Sequence, residues 1–221
     1  MAEAVTSPYC VSVTGGVASG KTALTRRFEA LGIRVADADI AARTAVAPGS
    51  VGLAAIVETF GSDVLDQDGA LDRAAMRRRV FDDAAARHRL EAIVHPQVRA
   101  LLHAECLAAS GPYVVAAIPL LAEGGGRDAY PWLDRVLVVD APVDAQRARL
   151  TQRDGIDSTL ADRMIASQAT RAARLSIADD VIVNTGTLAA LDAHVDALDA
   201  HYRVLAAARA AGLESSPATA A

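Results

Sequence analysis

Lysine is nearly absent from this chain: of 22 basic residues only Lys21 is lysine, and the others are arginine. With no second lysine, the N/T-K-x-D motif by which guanine-nucleotide switches read their base is excluded. Cysteine is scarce too. Cys10 and Cys106 have neither metal-ligand spacing nor the look of a disulfide framework, which points to a reducing compartment and hence to a cytoplasmic protein. The opening MAEAVTSPY has no cationic segment followed by an apolar stretch, so it does not read as a secretion signal. No apolar run approaches the length needed to cross a bilayer, so no membrane partner is expected. Excess positive charge is also lacking. A net charge of −5 argues against a broad nucleic-acid face, so an anionic ligand has to be met by locally focused cations.

What is present starts from that single lysine. It closes the run Gly15-Gly16-Val17-Ala18-Ser19-Gly20-Lys21-Thr22, which fits G-x-x-x-x-G-K-[ST] without a gap. Keeping lysine here and nowhere else suggests a need for a slim, flexible ammonium that a planar guanidinium cannot imitate. Tyr9–Thr14 reads as a buried strand, and Lys21–Leu31 as a helix with Leu24, Phe28 and Leu31 on one face. In that order, successive loop N–H groups and the helix N-terminus face phosphate oxygens and Lys21 reaches the transferable phosphates. Thr22 then offers its hydroxyl to Mg²⁺. The expected nucleotide contacts are Gly15, Gly16, Val17, Ala18, Ser19, Gly20, Lys21, Thr22 and Ala23. A glycine-rich turn with an incidental lysine would produce the same letters.

Further strands are expected at Ile33–Ala36, Tyr113–Ile118, Arg135–Val139 and Asp180–Val183. Continuous apolar runs alternating with helical patterns predict an α/β fold: a parallel five-stranded sheet flanked by helices, with ligands at the carboxyl ends of the strands. The length and the 52% hydrophobic composition suit one globular unit, 1–221. Its nucleotide core is expected at 9–39, 112–144 and 176–211. Residues 40–110 show only helical segments (Val51–Phe60, Asp72–Phe81, Pro96–Leu107) and read as a lobe for the acceptor. Residues 145–175 carry Arg147, Arg149, Arg153, Arg163, Arg171 and Arg174 and read as a lid over phosphates, with Arg153 among the nucleotide contacts. A solvated face of i, i+4 ion pairs is the alternative for any one of these arginines. Thr187–Ala208 has apolar residues at spacings of three and four, suited to docking on the sheet or to pairing with a second chain. The chain is expected to be a monomer or weak homo-oligomer, with 212–221 a disordered tail.

The glycine loop names a phosphoryl donor and leaves the acceptor open. Asp37 and Asp39 follow the second strand, where a carboxylate can take the proton of an acceptor hydroxyl while its neighbour orders Mg²⁺ through water. Capping of the next helix by one, with Asp39 paired to Arg43, is the competing account. Asp140, at the end of LVVD, suits contact with Mg²⁺, a helix cap or a hinge.

The segments VTGGVASGKTALTRRFEALGIRVADADIAARTAVAPGS, FGSDVLDQDGALDRAAMRRRVFDD, LEAIVHPQVRALL, PYVVAAIPLLAE, DRVLVVDAPVDAQRARLTQRD, SQATRAARLSIADDVIVNTG and the closing ALDAHYRVLA resemble dephospho-CoA kinases in order and spacing, from about Val11 to Ala206. The glycine loop is shared with many enzymes; DADIAAR, DGALDR, HPQVR and IPLLAE together are more specific. The resemblance implies a P-loop kinase fold and ATP-dependent phosphorylation of the ribose 3′-hydroxyl of dephospho-CoA. It makes Asp39 the catalytic base and Arg149 the lid arginine on the ATP phosphates. It sets Asn184 against the adenine, and Arg73, His95, Pro119, Leu120 and Leu121 on the acceptor side, where Asp37 and Asp39 are also expected from their place behind the second strand. Each has a plainer alternative: His95 simply precedes a helix opening with Pro96, Asn184 turns the chain before Gly186, and Leu120 and Leu121 are core. Gly124-Gly125-Gly126 departs from the family pattern as a more flexible connection, and Trp132 either senses closure or covers a sheet edge. A kinase of another small alcohol or nucleoside monophosphate is the nearest alternative function.

Overall fold

The computed structural model describes residues 7–81 and 83–212. The tail expectation for 213–221 lies outside them. Five strands form one parallel sheet: β1 (Cys10–Gly15), β2 (Arg34–Asp37), β3 (Val114–Ala117), β4 (Arg135–Asp140) and β5 (Asp180–Val183), in the order β2-β3-β1-β4-β5. β1 is central and buried along its whole length, with Val11 level with Val115 on one side and Arg135 on the other. Such a strand is covered on both faces, which is why its sequence is continuously apolar rather than alternating.

Two helices close one face. α1 (Lys21–Ala30) brings Leu24 and Phe28, and the last helix, α10 (Leu188–Ala210), brings Leu191, Val195, Tyr202 and Ala206 onto Val11, Val13, Val115, Leu137 and Ile182. The apolar repeat of α10 is thus used on the sheet. Each fully buried large side chain there contributes roughly 1.5–3 kcal/mol, well beyond the ~0.3–0.5 kcal/mol of a surface pair such as Arg203–Asp199 on the same helix. Phe28, Tyr113 and Tyr202 meet with ring centroids 5.6–6.4 Å apart, joining α1, the entrance to β3 and α10. Both buried hydroxyls have partners: Tyr113 donates to Asp199 at 2.8 Å and Tyr202 to Asp180 at 3.0 Å.

The chain forms two compact units, one holding the sequence up to Ala36 and from Cys106 onward, the other Asp37–Glu105. The sequence boundary, drawn after Asp39, therefore falls three residues earlier. The reason is local: Asp37 turns from strand residue to cap of α2 (Ala38–Ala45), accepting from Asp39 N–H at 2.7 Å. In this second unit follow α3 (Val51–Phe60), capped by Ser50, a short 3₁₀ turn at Ser62–Val64, α4 (Arg73–Phe81) and α5 (Ala84–Leu107), whose last residues pass the unit boundary. Phe60 is buried beneath the guanidinium groups of Arg79 and Arg89.

One helix start is corrected. Pro96 lies inside α5 rather than at its first position, so His95 is an exposed mid-helix residue. The helix formers of AAARHRLEAIV carry the helix from Ala84 into the proline, whose missing N–H costs the bond to the Ala92 carbonyl without ending the helix.

After β3 the triglycine makes ordered turns, with Gly124 N–H on Leu120 O and Gly126 N–H on Leu121 O, both at 2.8 Å, before the single turn α6 (Gly126–Ala129). Trp132 sits edge-on to Tyr130. The segment 145–175, expected as a lid, falls on three helices, α7 (Val143–Asp154), α8 (Ser158–Ala166) and α9 (Arg171–Ser176).

Candidate active site

β1 delivers the chain at Gly15 to a loop that re-enters regular structure at Lys21. Gly20, the residue before α1, has φ +105 and no side chain to cap the helix, and no acid occupies the first turn. Among the described residues no side chain therefore caps the start of α1, and its partial positive charge is not offset by an acid. A Cβ at Gly20 would overlap Asn184 Nδ2. Glycine is thus required both by the left-handed backbone and by the close approach of Asn184. Lys21 Nζ donates to Gly15 O at 2.6 Å and Gly16 O at 2.8 Å, folding its ammonium back across the mouth of the loop. Ser19 is buried, and among the described residues its Oγ has no hydrogen-bond partner. The Thr22 side chain is exposed on the first turn. Ala23, expected on the nucleotide, gives its N–H to Gly20 O at 3.1 Å.

The outer surface of the loop is gripped from three later elements. Asn184, at the end of β5, donates through Nδ2 to Ser19 O at 2.7 Å. Arg149 on α7 donates to Ala18 O and Ser19 O, each at 3.2 Å, and to Asn184 O at 2.8 Å. Gln146, buried one turn earlier on α7, donates to Val17 O at 2.6 Å, and Gln168 Oε1 accepts from Val17 N–H at 2.6 Å. Sequence reading missed both glutamines. Gln146 lies three residues before Arg149, on the same side of a helix, a spacing visible in QRARLTQRD. Gln168 lies in a turn whose direction nothing local in the sequence specifies.

The other arginines of 143–176 divide sharply. Arg147 pairs with Asp144 and Asp162, and Arg153 with neighbouring Asp154, so Arg153 is not brought to the loop. Arg171 binds both oxygens of Asp140 at 2.7–3.0 Å, and those bonds raise its guanidinium above its ordinary pKa. Asp140 is buried at the end of β4 and caps no helix, since α7 starts from Pro142. Arg174 is buried beside Gly16.

Beyond β3, Pro119 O accepts from Thr14 Oγ1 at 3.3 Å, which ties the segment to β1. Leu121 is fully buried and serves as core, whereas Leu120 is 53% exposed.

Asp37 and Asp39 belong to the second unit. Asp37 is committed to capping α2. Asp39, one residue into that helix, makes no ion pair with Arg43 or any other described residue. The same unit holds a largely apolar groove of about 340 Å³ lined by Ala42, Leu71, Met76, Val80 and Val94, with Arg73 and Arg77 among its walls. His95 is not part of that lining.

The phosphate-loop geometry leaves donors, a fixed ammonium and a buried orphan hydroxyl where an anion would sit, and so fits a nucleoside triphosphate. Comparison with known proteins gives the acceptor. The family model described as dephospho-CoA kinase matches residues 9–190. The dephospho-CoA kinase of Xanthomonas oryzae pv. oryzae is 57% identical over 197 residues, covering 89% of this chain and 97% of that relative. A crystal structure of TT1252 from Thermus thermophilus superposes with a TM-score of 0.74 at 30% identity, covering 89% of this chain and 98% of its own. The dephospho-CoA kinase from Campylobacter jejuni shares the fold, with a TM-score of 0.56 at 23% identity over 87% of this chain and 96% of its own.

Proposed function

The chain belongs to the dephospho-CoA kinase family and phosphorylates dephospho-CoA to coenzyme A at the expense of ATP; on that premise we propose that Gly15–Thr22 holds the triphosphate and that Asp39 is the base for the ribose 3′-hydroxyl. The observation that carries the proposal is the uncapped start of α1, with Lys21 as the only cation in its first turn and Ser19 Oγ buried without a partner.

Lys21 exchanges the carbonyls of Gly15 and Gly16 for the β- and γ-phosphate oxygens. Its reach from the start of α1 suits that move. The loop N–H groups bind the same phosphates, and Arg149 adds fixed positive charge at the Ala18–Ser19 carbonyls. Thr22, whose side chain is exposed, is the residue that would hold Mg²⁺, and the ion would supply neutralisation of phosphate charge.

Asp39 takes the proton of the 3′-hydroxyl as its oxygen bonds to the γ-phosphorus. The bond from that phosphorus to the bridging oxygen breaks, and ADP leaves with the electron pair. Asp39 suits this role because its carboxylate is unspent, whereas Asp37 is spent on the helix cap. Base catalysis of this kind contributes roughly 10²–10⁴-fold. The groove beside Arg73 and Arg77 takes the acceptor, its apolar walls suiting a flexible aliphatic arm and its arginines a diphosphate. The helices of 143–176 exclude water that would otherwise take the phosphoryl group. We place the enzyme in the cytoplasm, as its two cysteines are buried and form no disulfide among the described residues, which suits a reducing compartment.

The test is the position of the new phosphate. Incubation with Mg-ATP and dephospho-CoA, followed by phosphorus NMR of the product, yields a 3′-phosphomonoester on this reading. A phosphate elsewhere on the acceptor removes the assignment of the ribose hydroxyl.

A further inference from the structure

Arg174 differs from every other arginine of the 143–176 segment whose side-chain bonds are given above. Arg147, Arg153 and Arg171 each face a carboxylate, and Arg149 spreads over three carbonyls. Arg174 is only 7% exposed, its Nη1 donates to Ala169 O, and among the described residues no carboxylate pairs with it. A buried charge without a counter-charge is unfavourable in the free protein, and arginine cannot relieve the cost by releasing its proton.

Its surroundings show where the counter-charge belongs. A Cβ built on Gly16 would lie 3.1 Å from Arg174 Nη2 and would overlap Gln146 Nε2, so the second glycine of the phosphate loop is the space these two side chains occupy. The guanidinium is also held in place. Ala169, whose carbonyl it binds, gives its N–H to Glu123 Oε1 at 2.8 Å, and the preceding Gln168 takes the Val17 N–H at 2.6 Å. One turn, 168–169, therefore fixes the arginine, the loop backbone and the segment after β3 together. A charge held this way acts without reorganising during the reaction.

We propose that Arg174 is a further catalytic residue, its buried guanidinium meeting the negative charge on the γ-phosphoryl oxygens as the bond to ADP breaks. This rests on the reading that the Gly15–Thr22 loop takes ATP. The bound phosphoryl group supplies the counter-charge that the fold does not.

The test uses Arg174→Gln and Arg174→Lys in the full chain, with thermal midpoints measured alone, with ADP and with ATP, and with steady-state turnover. The proposal predicts that Arg174→Gln leaves the midpoint of the free protein unchanged or raises it. The variant keeps the ADP-induced shift, loses the additional shift given by ATP, and turns over about 10²-fold or more slowly. Arg174→Lys recovers part of both losses. A purely structural arginine predicts a lowered midpoint in the free protein with ATP and ADP shifts falling together, and that outcome overturns the proposal. So does turnover within about threefold of wild type, less than 1 kcal/mol of barrier. A wild-type chain that no nucleotide stabilises removes the ATP reading itself; a wild-type ATP shift that Arg174→Gln leaves intact removes only the arginine.

Discussion

Asn184 Nδ2 donates to the Ser19 carbonyl at 2.7 Å, joining the carboxyl end of the edge strand to the phosphate loop 165 residues earlier in the chain. Its main-chain N–H is on Asp140 O and its carbonyl accepts from Arg149, so the residue ties strand ends, α7 and loop together. Asn184→Asp sets an acceptor against an acceptor in a buried place. We expect a loss of about 1–3 kcal/mol in urea denaturation and weaker ATP binding by calorimetry, with a smaller effect for Asn184→Ser.

Gly20→Ala combines a left-handed backbone, φ +105, with overlap of the Asn184 amide. Gly155 is also left-handed, φ +66, but a Cβ there meets nothing within 4 Å. Gly155→Ala should therefore cost only the backbone term, about 1–2 kcal/mol, and leave ATP affinity unchanged. Gly20→Ala should cost more and weaken ATP at least about tenfold, or 1.4 kcal/mol, since the Asn184 bond must give way. Calorimetric titration of both variants checks the difference.

Arg73 stands on the wall of the 340 Å³ groove. If that groove takes the acceptor, Arg73→Ala raises the KM for dephospho-CoA about tenfold while kcat and the KM for ATP hold, the pattern of lost uniform binding. Equal changes in both KM values would place Arg73 elsewhere in the mechanism.

Asp180 carries the pH dependence that the fold makes visible. Burial pushes its carboxyl upward, but bonds from both sides of the Arg135 guanidinium at 2.8 and 3.0 Å and from the Tyr202 hydroxyl outweigh it, and the net direction is below the ordinary 3.8. Just below that ordinary value the unfolded chain binds the proton that the folded chain refuses. The stabilisation is therefore whole above about pH 4 and is lost as the pH falls through the depressed value. Denaturation of Asp180→Asn against wild type should show a deficit at pH 7 that shrinks towards about pH 2. A constant deficit across that range would show that the ionisation of Asp180 contributes nothing.

Much of this was legible in the residues. The glycine loop, the continuous apolar strands and the repeat of α10 each follow from local rules, and each element lies within a residue or two of its expected place. Pro96 is the exception: its local preference for a helix start yields to the helix-forming stretch before it. In the site, Lys21, Asn184 and Arg149 announce themselves by motif or resemblance. Gln146 and Gln168 do not, because their meaning lies in which backbone atom they meet across more than 100 residues of chain, and Arg174 is legible only as one of six arginines, since its missing counter-charge shows only in the fold. Asp37 and Asp39 look alike as letters; only the capping bond separates the helix cap from the free carboxylate.

The central claim is that Asp39 removes the proton of the acceptor hydroxyl. Its most direct test is rapid-quench measurement of phosphoryl transfer by Asp39→Asn, with the dissociation constants of ATP and dephospho-CoA measured alongside. The account predicts transfer slowed by about 10²–10⁴-fold, with both constants within about twofold of wild type, under 0.5 kcal/mol. Transfer at the wild-type rate with both ligands bound would contradict it.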